Sequence, residues 1–109
     1  PADRLRMAGA SRDFLLGFGI LRSYQTMEYW EWTPPRRAAR LDHASVLEGY
    51  LVAHPPAAGG DPDEFFRGVG YGYRVLLPPA RAARFDALVA AFPDREAPLR
   101  AGYSSAPLR

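Results

Sequence analysis

Apolar positions along the chain fall into short blocks separated by proline and glycine. Residues 14–18 form an uncharged run that ends at Gly19, the pattern of a buried strand entering a turn. Glycine at 17 and 19 would let another group approach this backbone closely. Residues 45–54 alternate: Val46, Glu48, Tyr50, Val52 and His54 share one face, and Leu47, Gly49, Leu51 and Ala53 share the other. Residues 68–77 alternate without a miss, with Val69, Tyr71, Tyr73, Val75 and Leu77 on one side and Gly68, Gly70 and Gly72 opening the other. That pattern predicts a strand in a tightly curved sheet, or one with a chain segment or ligand lying against it. Over residues 23–32, Tyr24, Met27 and Trp30 have helical spacing while Met27 and Tyr29 fit a strand. Both templates stay open there, and the aromatic residues are read as core filling.

One segment has a clear helical period. Pro78-Pro79 can occupy a first helical turn. Phe85, Leu88, Val89 and Phe92 then follow i, i+3, i+4, i+7 and give a single apolar face, and Pro93 ends it. Residues 36–43 read as a polar connector, and residues 55–62 as a loop built on Pro55-Pro56, Gly59-Gly60 and Asp61-Pro62. A turn through Gly102 leads to a final strand over about 103–108. Residues 1–12 are expected to form a tail or short helix, and residues 13–109 one domain. The expected fold is α+β: a small, strongly bent mixed sheet or partly closed β-barrel with one amphipathic helix.

Composition narrows the function classes. A chain of 109 residues has the size of one small domain. There is no cysteine, which excludes a disulfide frame and a thiolate metal site and fits a reducing, cytoplasmic setting. All 14 basic residues are arginine and the formal net charge is only +2. Apart from Arg36, Arg37 and Arg40 they are dispersed, and the aromatic stretch 24–32 carries Glu28 and Glu31 instead. A nucleic-acid partner is therefore not expected. No apolar run approaches the roughly 20 residues of a membrane span, so no membrane partner is expected either. The chain does not begin with Met, which points to processing or a fragment.

Candidate chemistry is sparse. His43 and His54 are 11 residues apart with no acidic cluster beside them, so no metal site is expected. The serines form no nucleophile elbow, and without lysine there is no phosphate-binding loop of the usual kind. The glycines at 68–72 lack the helix start that a dinucleotide loop needs. Glu96 remains. Exposed, it would be an ordinary ionised loop carboxylate beside Arg95. Desolvated in a cleft, it would be tuned upward into a general base.

Several segments resemble the gamma-glutamylcyclotransferase-like superfamily. Leu16-Gly17-Phe18-Gly19-Ile20-Leu21-Arg22 is similar to its glycine loop, with Phe18 where a Tyr is usual and Ile20 in place of Ser or Thr. Residues 67–75 resemble its glycine-containing strand. Asp94-Arg95-Glu96 is similar to the Arg-Glu of the glutathione-specific ChaC branch, and Tyr103 matches the tyrosine after the catalytic glutamate. An alternative alignment puts Val89 at the glutamate's place. The resemblance implies release of 5-oxoproline from a small gamma-glutamyl substrate, without cofactor or metal. Glu96 would be the general acid/base. The backbone amides of Phe18, Gly19, Ile20 and Leu21 would hold the substrate as an oxyanion site does, and Tyr103 would position it. Such an enzyme would be a monomer or homodimer. The other reading is a non-catalytic, β-rich binding or assembly subunit with a larger protein partner, for which the prolines, arginines and Trp30/Trp32 would supply surface.

Overall fold

The computed structural model describes residues 9–31, 43–77 and 85–105. Within them the chain forms helices α1 (Arg12–Glu31), α2 (His43–Ala53), α3 (Pro62–Leu76), α4 (Phe85–Ala91) and α5 (Glu96–Ser105), with a 3₁₀ turn over Pro93–Arg95. No strand occurs among the described residues. The expected α+β sheet or barrel, and a β-rich subunit of any kind, are thereby corrected to an all-helical packing. Residues 1–8 of the expected tail or short helix, residues 36–42 of the expected connector, the opening at Pro78-Pro79 and residues 106–108 of the expected last strand lie outside the described residues.

Each predicted strand became a helix for a local reason. In α1 the buried positions among the described side chains are Phe14, Gly17, Phe18, Leu21 and Tyr24, a helical stripe that a five-residue window at 14–18 is too short to reveal. Ser11 starts it: the N–H of Phe14 donates to Ser11 Oγ at 3.1 Å, so a residue assigned to the tail is the N-cap. The ambiguous stretch from Ser23 onward continues this helix as far as Glu31. In α2, Leu47 and Leu51 are buried one turn apart, while Val52 is 67% exposed. Tyr50 and the exposed Val52 add apolar positions off that buried line, which imitates strand alternation.

The helix α3 is the clearest reversal. The breaker cluster at its start is a cap. Asp61 Oδ1 accepts from the N–H groups of Asp63 at 3.0 Å and Glu64 at 3.3 Å, Pro62 occupies the first turn, and Asp63 and Glu64 add negative charge where the helix dipole favours it. Successive residues then turn by about 100°, which divides α3 into three stripes. Phe65, Gly68 and Gly72 face α1. Asp63, Arg67, Gly70 and Arg74 face α5. Phe66 and Tyr73 meet Phe92 and Phe85, with ring centroids 5.4 and 5.3 Å apart.

The first two stripes close by backbone contact. A Cβ built on Gly17 would collide with the carbonyl of Phe65, and one on Gly68 with the carbonyl of Phe14. On the other flank, Gly70 sits against the carbonyl of Leu99, and Gly102 against that of Arg67. Each interface is thus reciprocal: a glycine of either helix receives a carbonyl of the other. Gly68 and Gly70 are about 200° apart around the axis, so α1 and α5 lie on opposite flanks of α3. The fully buried Leu21, Val69, Leu88 and Leu99 fill the space around these contacts. The helix expected from the spacing of Phe85, Leu88 and Val89 is α4, whose three buried residues are those. The expected turn at Gly102 and strand from 103 are instead the last turns of α5.

Candidate functional site

The expected substrate loop lies in the interior of α1. Phe18 is 1% exposed and Leu21 is fully buried. Phe18 packs beside Tyr71, with centroids 6.0 Å apart, and Leu21 fills the space over Gly72, whose added Cβ would lie 2.9 Å from Leu21 Cβ. Ile20 is partly buried against the core. Gly19 is half-buried, and a Cβ there would meet nothing within 4 Å. All four residues are helical, so their N–H groups are directed to carbonyls one turn earlier. No amide cradle forms at 18–21, because these residues lie inside a helix; of the two glycines that suggested a turn, Gly17 serves helix packing and Gly19 faces open space.

Glu96 and Tyr103 are brought together on a different element. Both lie on α5, seven residues apart, which is close to two helical turns and hence one face, separated by roughly 10 Å along the axis. Arg100 stands between them. Its Nε donates to Glu96 Oε2 at 2.8 Å, and its Nη2 donates to Asp86 Oδ1 on α4 at 3.1 Å. The hydrogen bonds to Glu96 and then Asp86 hold the Arg100 guanidinium above its ordinary pKa. Glu96 is an exposed carboxylate with a guanidinium partner. Because α1 and α5 occupy opposite flanks of α3, Glu96 is not gathered with Phe18–Leu21.

Tyr103 is covered on its ring. Phe85 stacks on it with centroids 4.2 Å apart and planes 21° from parallel, and the Arg74 guanidinium lies 4.9 Å from the ring centroid. Arg74 Nη1 also donates to the Tyr103 carbonyl at 3.2 Å. Phe85, Asp86, Arg100, Tyr103 and Ser104 line a shallow cleft of about 260 Å³. Its cation is shared between two carboxylates, and its rings are stacked on each other. These contacts bind α5 to α4 and α3. At the other end of α5, Arg95 Nη1 pairs with Asp63 Oδ1 at 3.0 Å.

Sequence reasoning singled out Glu96 and Tyr103 but did not place Arg74, Phe85, Asp86 and Arg100 beside them. The Glu96–Arg100 spacing of four was a readable helix signal; the reach of Arg100 to Asp86 needs the tertiary fold. His54, read on the sequence as no ligand, sits beside the ring of Tyr50, centroids 4.5 Å apart. Among the described residues no group of three or more His, Cys, Asp or Glu could hold a metal ion, and no helix is long and apolar enough to cross a membrane.

No protein-family model, curated protein or solved structure matches the chain. The motif resemblance at residues 16–22, 67–75 and 94–103 therefore stands alone.

Proposed function

We propose that the chain is a non-catalytic helical module that contributes a rigid block to a larger protein assembly. The observation that carries this reading is the reciprocal glycine–carbonyl contact of α1 with α3 and of α3 with α5. It commits Gly17, next to the expected substrate loop, to holding two helices at backbone distance, and Phe18–Leu21 continue the same helix. The charged groups serve the same end. Arg100 ties Glu96 to Asp86, Arg95 ties the 3₁₀ turn to Asp63, and Arg74 ties α3 to the end of α5. A general base needs a reachable substrate proton beside stabilising donors, and Glu96 has an arginine partner on its own helix instead.

The deciding experiment measures 5-oxoproline release from glutathione and from gamma-glutamyl amines, using the wild-type chain and Glu96→Gln. The structural reading expects no release by either protein. Release that disappears in Glu96→Gln would overturn it and restore the cyclotransferase reading. Native mass spectrometry of the protein isolated from its own cells tests the assembly role separately. A stoichiometric protein complex is expected, and a free monomer would sink that role.

A further inference from the structure

No further inference is drawn: the strongest candidate, the outward flank of α2 where Val52 stands 67% exposed beside the exposed Gly49, is an apolar surface for which nothing in the structure shows what covers it.

Discussion

The flanks of α3 and its third face are closed by opposite means. On the flanks, backbone meets backbone: Gly17 and Gly68 receive carbonyls of α3 and α1, while Gly70 and Gly102 receive those of α5 and α3. On the third face, side chains do the filling: Phe66 packs on Phe92, and Tyr73 packs on Phe85, which in turn stacks on Tyr103. The difference decides how each region responds to change. At these four glycines the neighbour is backbone and not a side chain that can move aside, so even one added methyl group must separate two helices. The ring face has volume to lose, so its weakness is deletion.

The largest expected effect is on a flank. Gly70→Leu should abolish cooperative folding, because four added carbons would meet the Leu99 backbone rather than a side-chain tip. A sigmoidal thermal melt for this variant would show that α5 can slide on α3, and would break the contrast at once. Gly68→Ala is the milder form. It adds one methyl against the Phe14 carbonyl and should cost about 3 kcal/mol or more, at or beyond the usual upper range for overpacking. Urea denaturation measures it, and a cost below about 1 kcal/mol would place this flank among ordinary, yielding contacts.

On the ring face, Phe85→Ala should cost about 3–5 kcal/mol, the range for deleting a buried phenylalanine. Phe85 is 4% exposed and touches both Tyr73 and Tyr103. Unlike the flank variants, Phe85→Leu should recover a good part of the loss by restoring volume. Equal losses for Ala and Leu would mean that ring stacking, rather than filled space, holds this face.

The sharpest use of the comparison is a reversal of sign. Gly19 and Gly49 are helical glycines at which a Cβ would meet nothing within 4 Å. Alanine at either position should stabilise the chain by up to about 1 kcal/mol through helix propensity alone. Destabilisation by Gly19→Ala would reveal a close neighbour on the outer face of α1. The smallest effect is expected at the surface ion pairs. Glu96→Gln should leave the melting temperature nearly unchanged, because exposed pairs contribute little. A large drop would mean that the Glu96–Arg100–Asp86 network does more than exposed pairs normally do.

Part of this fold is readable in the sequence alone. The spacing of Phe85, Leu88 and Val89 identified α4, which ends one residue before Phe92. The run Asp61-Pro62-Asp63-Glu64 is a helix start of a familiar kind, and reading it only as a loop is what allowed residues 68–77 to pass for a strand. Ser11 was a cap hidden in a presumed tail. The remaining error had a deeper cause. Glycines at 68, 70 and 72 interleaved with Val69, Tyr71 and Tyr73 satisfy a period of two as well as they satisfy three helical stripes. The alternation was real but described the spacing of glycines rather than the faces of a sheet. The candidate site shows the same division. Glu96 and Tyr103 do share a face, yet that face belongs to a helix, and the residues expected to complete the site lie across α3 from it.

By itself the sequence determined the punctuation of the chain, its caps, its single-signed basic chemistry and the absence of cysteine and lysine. It also offered several glycines that another group could approach closely. Only the tertiary structure decided what approaches them. A glycine carries no side chain to signal its partner, and inside a helix it is disfavoured by about 1 kcal/mol. The local code therefore argues against the helix that forms. The compensation comes from carbonyls distant in sequence, Phe14 for Gly68 and Leu99 for Gly70, and those contacts exist only once three helices have come together.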